Sequence, residues 1–293
     1  SSLVIVVGGG GGLPAVAVSG RGGSGGRGSG GGDNDIGFGV SIVCMCGVCV
    51  RTCRLQHVAE QHHVRHNQGF FYFWQGLCQT FFLEAKVAIV TPNKKANSGS
   101  LENYKSLKKL AYKRGVKFLY ETNVAAGLPV INTLQDLMLS GDKVLRIEAV
   151  LSGSMNYIFS ELEKGAPFSE VVKIAKEKGY TEPDPRDDLS GMDVARKILI
   201  LGREAEQELE FEDITIQSMV PADCQHAKSV DEFFEKLKGH DADFAKLLVD
   251  AKAKGEKLRF MATLEDGKAK IGLRSIPASH PFYGLEGSDN MIL

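Results

Sequence analysis

The first part of this chain has few of the charged residues that a folded protein surface normally carries. No lysine occurs before Lys86, and the only acidic residues up to residue 80 are Asp33, Asp35 and Glu60. Residues 8–32 form a low-complexity tract rich in glycine, which cannot bury enough apolar surface to offset the entropy lost on ordering. We therefore expect residues 1–82 to be a low-complexity, disordered segment.

The chain also lacks a long apolar run and an excess of charge of either sign. No stretch reaches the roughly 18 uncharged apolar residues of a membrane-spanning helix, and the first residues have no basic flank like that of a secretory signal. With 35 Lys and Arg against 36 Asp and Glu, the formal net charge is −1, which argues against general binding to nucleic acid or membrane. We expect a soluble protein, cytoplasmic or organellar, with room for two domains in its 293 residues.

Cysteine is nearly absent from the later part of the chain. Of the 6 cysteines, only Cys224 follows residue 78. The earlier ones include Cys46, Cys49 and Cys53, which together with His57 could be zinc ligands. Their spacing is irregular and no second Cys-x-x-Cys pair is present, so we favour thiols and histidines that hold no metal.

Two nucleotide-binding patterns occur in the glycine tract. A G-x-G-x-x-G match at Gly20, Gly22 and Gly25 is expected by chance there, and no amphipathic helix follows it. The strand-like run of residues 3–7, which leads directly into glycines, is the one feature that favours a dinucleotide turn. Arg21-Gly22-Gly23 is typical of RNA-binding segments, but the tract lacks interleaved aromatics and basic density.

From residue 83 onward, short apolar runs alternate with helical patterns. We predict a strand over 87–91, a helix that starts after Ser98 or Ser100 and ends at Gly115, a strand over 116–120 and a helix from Pro129. This βαβα order is typical of a parallel sheet. The pattern further predicts a strand at 144–151, helices at 155–163, 169–178, 192–206, 230–237 and 241–254, and a hairpin of residues 258–265 and 268–276 across Asp266-Gly267.

The segment Gly179–Lys197 carries the most information, because it contains four Asp, one Glu and two prolines. Each proline disfavours helix in the residue before it, so we predict a loop up to Gly191 and a helix from Met192. On that helix Asp193 and Lys197 lie four residues apart and meet on one face. Carboxylates beside an acid–amine pair suit a small zwitterionic substrate that needs a proton. A solvated surface ion pair is the alternative.

Several motifs resemble those of the homoserine dehydrogenase family, in that family's order and spacing. They are Val90–Ala96, Tyr120–Pro129, Ser152–Ile158 and Gly179–Lys197, and residues 276–290 resemble the form fused to aspartate kinase. The resemblance implies reduction of aspartate 4-semialdehyde to homoserine with NADP or NAD as cofactor, in threonine, methionine and isoleucine biosynthesis. It also implies an α/β fold, in which residues 83–150 are the remnant of a Rossmann-like cofactor domain and residues 151–293 an α+β catalytic domain truncated at its C-terminal end.

The same resemblance assigns roles to individual residues. Lys197 would donate the proton, Asp193 would hold the reacting end of the substrate, and Lys94, with Asn93, would lie at the cofactor. Hydride addition builds negative charge on the aldehyde oxygen, which an ammonium group stabilises. The amino-acid end of the substrate would be bound by Glu182, Asp188, Tyr180, Gly153 and Ser154.

Each assignment has a structural alternative. Ser154 could cap a helix that starts at Met155, Glu121 could cap the helix after Pro129, Tyr180 could fill the core, and Lys94 could be a solvated loop lysine. The Asp193–Lys197 pair could be surface, as stated above.

The resemblance further implies a monovalent cation (Na⁺), bound largely through backbone carbonyls at Glu121, Val124, Ala126 and Leu128. It also implies a homodimer, for which the hairpin edge after residue 258 offers a pairing surface. Because the family's G-x-G-x-x-G turn is not matched, we expect weak NAD(P)H binding. An assembly or regulatory module without turnover is the alternative function.

Overall fold

The computed structural model describes residues 3–5 and 79–293. The glycine tract with its G-x-G-x-x-G and Arg-Gly-Gly patterns, and the cysteines and histidines from Cys44 to His66, lie outside the described residues. The chain divides into two compact units. Among the described residues, one unit comprises those up to Ala96 together with Glu102–Tyr120, and the other comprises Asn97–Leu101 and Glu121–Leu293.

The first unit contains the parallel sheet that the sequence predicted. Strands β1 (Leu3–Ile5), β2 (Ala88–Val90) and β3 (Phe118–Leu119) lie in that order and are all parallel. Helix α1 (Leu101–Arg114) separates β2 from β3 in the chain, and Gly115 follows it at φ +65°, a left-handed conformation that glycine adopts at helix C-termini. Ile89 of β2 and Leu107 of α1 are buried in the core of this unit.

The second unit is built on a five-stranded mixed sheet. Its strands are β4 (Arg146–Val150), β5 (Ile214–Ile216), β6 (Lys257–Glu265), β7 (Lys268–Ile276) and β8 (Met291–Ile292), in the order β5-β7-β6-β4-β8. The β6–β7 hairpin is confirmed, and its turn residues Asp266 and Gly267 both have positive φ, as the favoured two-residue turn requires. Within the chain, residues 146–149 of β4 pair with residues 262–265 of β6, and β5 pairs with residues 269–271 of β7, so these parts of the hairpin are already paired.

Helices pack against this sheet and against one another. They are α2 (Val130–Leu139), α3 (Gly153–Leu162), α4 (Phe168–Glu177), α5 (Pro185–Leu189), α6 (Met192–Glu204), α7 (Val230–Leu237) and α8 (Asp241–Ala253). Helices α3, α6 and α8 all contact β6. Helix α4 contacts both α3 and α8, and the rings of Phe168 on α4 and Phe244 on α8 are stacked. Among the described residues, we find no helix with the length and apolar character needed to cross a bilayer.

The prediction that the acidic run before Gly191 contains no helix was wrong. Pro185 is the first residue of α5, a position where its missing N–H removes no intrahelical bond. Asp184 is the N-cap, and its Oδ1 accepts the Arg186 N–H at 3.0 Å. A proline disfavours the helical conformation only in the residue before it. A helix can therefore begin at the proline itself, with the preceding residue as its N-cap. Helix α6 starts at Met192, as predicted.

Candidate active site

The side chain of Lys197 is held by two oxygen atoms. Its Nζ lies 2.7 Å from Asp193 Oδ2 and donates to the Leu151 carbonyl oxygen, also at 2.7 Å. Lys197 is on α6 and Leu151 follows β4, so the sheet and the helix together fix the amine. The lysine side chain is only 16% exposed, against 45% for the Asp193 side chain. The amine is therefore largely shielded from solvent, whereas the carboxylate remains open to it.

A second pair of polar groups lies at the start of α3. Ser154 Oγ donates to Asp188 Oδ1 at 2.7 Å, and the other carboxylate oxygen of Asp188 accepts the backbone N–H of Glu182 at 2.8 Å. Ser152, rather than Ser154, caps α3, because its Oγ accepts the Met155 N–H. The capping alternative for Ser154 was therefore wrong, and its hydroxyl links α3 to α5.

Asp188 is a partly buried carboxylate near a second negative charge. Burial raises the pKa of the Asp188 carboxyl above its usual range, and the negative charge of Asp193 adds to the rise. Hydrogen bonds from Ser154 and from the Glu182 N–H act in the opposite direction on this pKa. A cationic ligand group beside Asp188 would favour its charged form, which is the behaviour expected of an ammonium-binding carboxylate.

Gly153 lies where the chain passes close to its own later part. A Cβ at position 153 would stand 2.9 Å from the Ser288 carbonyl oxygen, so only glycine fits without displacement. Asn156, one turn further along α3, donates to the Gly287 carbonyl oxygen at 3.1 Å, and its own Oδ1 is buried. Residues 286–288 are thus held against the first turn of α3.

Glu182 and Tyr180, which were also expected to bind the substrate, have exposed side chains. The side chain of Glu182 is exposed, and its backbone rather than its carboxylate contacts Asp188. Tyr180 is 47% exposed, so it does not fill the core, and its ring lies 4.6 Å from that of Tyr157. Lys178 donates to the Tyr157 hydroxyl at 2.9 Å on the same side.

The segment expected to bind a cation forms a tight turn. The Glu121 carboxylate accepts the N–H groups of Ile131 and Asn132 at 2.8 and 2.9 Å, so it does cap α2. Ala125 and Ala126 both have positive φ (56° and 51°), a costly conformation for residues other than glycine. Among the expected ligands, Val124 is fully buried and Leu128 is partly exposed.

Asn93 and Lys94 belong to the first unit and follow β2 directly. Asn93 Oδ1 accepts the Lys95 N–H at 2.9 Å, and the Asn93 N–H donates to Thr91 Oγ1 at 3.1 Å. Lys94 is half-buried in this loop. The loop therefore has a defined shape at the carboxyl end of a parallel strand, the usual position of ligands in open parallel sheets.

Sequence reasoning missed three groups at this site. The Leu151 carbonyl has no side-chain signature, so no pattern could have indicated it. Asn156 lies within a motif that the resemblance covered, yet no role was assigned to it. Ser288 is in the segment 284–290, whose proximity to Gly153 depends on tertiary structure.

Comparison with known proteins identifies the family of this chain. The family profile described as homoserine dehydrogenase matches residues 129–293, which contain the whole Lys197 and Ser154 arrangement. The chain belongs to the homoserine dehydrogenase family. A bifunctional aspartokinase/homoserine dehydrogenase from Zea mays is 46% identical over 213 residues, and a homoserine dehydrogenase from Schizosaccharomyces pombe is 42% identical over 219 residues. Each alignment covers 72% of this chain, but only 23% of the Zea mays protein and 58% of the Schizosaccharomyces pombe protein.

Solved structures of other proteins share this fold. A crystal structure of a Candida auris protein of unknown function superposes with a TM-score of 0.71 at 41% identity, over 74% of this chain and 63% of that chain. A hyperthermophilic archaeal homoserine dehydrogenase in complex with NADPH gives a TM-score of 0.56 at 22% identity, over 74% of this chain and 57% of that chain. The second likeness, at that identity, concerns the fold alone.

Proposed function

We propose that this chain carries the catalytic part of an NAD(P)H-dependent oxidoreductase that interconverts aspartate 4-semialdehyde and homoserine, in threonine, methionine and isoleucine biosynthesis. The supporting observation is the Lys197 amine, held at 2.7 Å by Asp193 and by the Leu151 carbonyl within a match to the homoserine dehydrogenase family. We assign cofactor binding to residues 83–150 and catalysis to residues 151–293. Of the first range, residues 97–101 and 121–150 belong to the second unit of the structure, which also contains Lys197.

In this mechanism Lys197 handles the proton and the charge. When bound, the reduced nicotinamide supplies a hydride to the aldehyde carbon. The Lys197 ammonium stabilises the negative charge that develops on the aldehyde oxygen and donates a proton to that oxygen. Asp193 holds the amine in place and contacts the reacting end of the substrate. The proton is replaced from solvent, to which Asp193 is open.

The amino-acid end of the substrate is assigned to the groups around α3 and α5. The Asp188 and Glu182 carboxylates attract the substrate ammonium, with Tyr180 beside them. The Gly153 turn binds the substrate carboxylate together with the Ser154 hydroxyl, which gives up its hydrogen bond to Asp188 when the substrate binds. The raised pKa of Asp188 supports this, because an incoming cation offsets the burial of that carboxylate. Asn93 and Lys94, in the loop after β2, are assigned to the nicotinamide end of the cofactor.

Replacing Asp188 tests the substrate assignment. We expect Asp188→Asn to raise the KM for homoserine by about tenfold or more, since a hydrogen bond to a charged group contributes about 1.5–3 kcal/mol. Asp187→Asn is the matched control, because Asp187 is the preceding residue of the same helix and is exposed. The KM of each variant is measured from the rate of homoserine oxidation, monitored by the appearance of NADPH. An unchanged KM in Asp188→Asn would contradict the assignment.

A monovalent cation and a homodimer complete the proposal. The two consecutive left-handed alanines turn the backbone between Val124 and Leu128, and backbone carbonyl oxygens suit a hard cation such as Na⁺. Thermal unfolding in NaCl against tetramethylammonium chloride at equal ionic strength tests the cation, and a higher Tm in NaCl is expected.

Sedimentation at micromolar concentration tests the dimer, and a single monomeric species would refute it.

A further inference from the structure

A group of side chains outside the active site brings together three atoms that can ligate a metal. Asp223, Cys224 and His240 each offer one such atom, and these atoms all lie within 4.8 Å of one another. Asp223 and Cys224 are in the turns between β5 and α7, whereas His240 immediately precedes α8. His240 Nε2 lies 2.8 Å from Asp223 Oδ1. The mechanism proposed above uses none of these residues.

We propose that Asp223, Cys224 and His240 form a binding site for a divalent transition-metal ion, with zinc as the best match. Zinc binds thiolate, imidazole and carboxylate ligands in sites with four ligands, at distances of about 2.0–2.3 Å. The three side chains supply one ligand of each type. The fourth position is left to water, because the Asp223 side chain is 56% exposed and the site opens on that side.

The surroundings of His240 fit a metal ligand. Its second ring nitrogen, Nδ1, lies 3.3 Å from Asp243 Oδ2, so the Nδ1–H can donate to that carboxylate and leave Nε2 for the ion. A carboxylate behind a ligating histidine is the usual arrangement, because it fixes the ring and its tautomer. The ion requires Asp223 and His240 to separate by a few tenths of an ångström, which their partial exposure permits.

Cys224 is the buried member of this cluster. Its side chain is fully buried, and its sulfur lies within 4.8 Å of the ligand atoms of Asp223 and His240, so it can contact an ion without being open to solvent. When the ion binds, a sulfur–metal bond replaces the S–H bond and the proton leaves to solvent. The bound ion would tie the turn at residues 223–224 to the start of α8.

Cobalt provides a direct test, because a Co²⁺–thiolate bond absorbs in the near ultraviolet. We expect one equivalent of Co²⁺ to give this band in a background that keeps only the buried thiol, namely the full chain with Cys44, Cys46, Cys49, Cys53 and Cys78 changed to serine. Excess Zn²⁺ should abolish the band by displacing Co²⁺. Adding Cys224→Ser or His240→Gln should also abolish it, and Asp243→Asn should weaken Co²⁺ binding by about 10–100-fold.

His226→Gln is the matched control. His226 is exposed and lies two residues from Cys224, but it is not part of the cluster, so its replacement should leave the band unchanged. His240 is partly exposed, so this variant should fold even if Cys224→Ser does not, and circular dichroism checks both. The proposal would be overturned if the background protein gave no thiolate band. It would also be overturned if the band remained in each of the two single variants, Cys224→Ser and His240→Gln.

Discussion

Replacing Lys197 with methionine should separate catalysis from stability. Methionine keeps an apolar stem but removes the ammonium, and with it the bonds to Asp193 and to the Leu151 carbonyl. An ion pair with one half-exposed partner contributes about 0–1 kcal/mol, so we expect the free energy of unfolding to fall by only about 1–2 kcal/mol once the lost carbonyl bond is included. Loss of a general acid lowers the rate by about 10²–10⁴-fold, which corresponds to roughly 3–5 kcal/mol of transition-state stabilisation.

The matched control is Lys236→Met on α7. Lys236 pairs with Glu232 at the same i,i+4 spacing and a similar distance of 2.9 Å, but it takes no part in the proposed mechanism. The assay compares kcat/KM for homoserine oxidation with the free energy of unfolding in urea, for both variants and the parent. If Lys197→Met keeps the kcat/KM of the Lys236→Met control, the proton-transfer role of Lys197 is refuted.

Two further predictions concern stability. Gly191→Ala should destabilise the protein by more than the roughly 1–2 kcal/mol that a left-handed alanine costs, because the new Cβ would also lie 3.0 Å from Phe260 Cζ. Gly141→Ala is the control, since residue 141 has φ +88° and no atom within 4 Å of the added Cβ, so it should show the backbone cost alone. Equal losses of unfolding free energy in urea would contradict the steric contribution. The Arg186 side chain lowers the pKa of Asp184, so this pair stabilises the fold above the unfolded pKa of about 3.9 and loses that contribution as pH falls through the lower folded pKa. Asp184→Asn keeps a capping oxygen and should flatten the dependence of stability on pH below about 4, measured by thermal unfolding; an unchanged pH profile would contradict it.

Local signals in the sequence were sufficient for much of the fold. Asp266 and Gly267 both adopt the positive φ that a two-residue hairpin turn needs. Gly115 adopts a positive φ as well, which ends α1. The helix at residues 230–237 was predicted at its observed bounds, since Ser229 gives a clear N-cap and an apolar stripe follows. These features depend on interactions within a few residues, which a sequence displays directly.

The features that sequence reasoning missed depend on contacts between distant residues. The Leu151 carbonyl that holds Lys197 is a backbone group, and the Asp223, Cys224 and His240 cluster forms only when turns 16 residues or more apart in sequence meet. The pair Asp193 and Lys197 was found because it lies within one helix. Helix α5 was missed for a local reason, namely the capacity of Pro185 to begin a helix.

Strand β4 is flanked by hydrogen-bonded neighbours on both sides, with β6 along one edge and β8 along the other. Glu148 and Leu293 exchange two backbone hydrogen bonds at 2.8 and 2.9 Å next to this pairing. Leu151, whose carbonyl oxygen accepts a hydrogen bond from Lys197, directly follows this doubly paired strand. The position of the Lys197 amine therefore depends on that pairing. Loosening β8 should disturb the proton delivery proposed for Lys197, even though β8 contributes no reacting group.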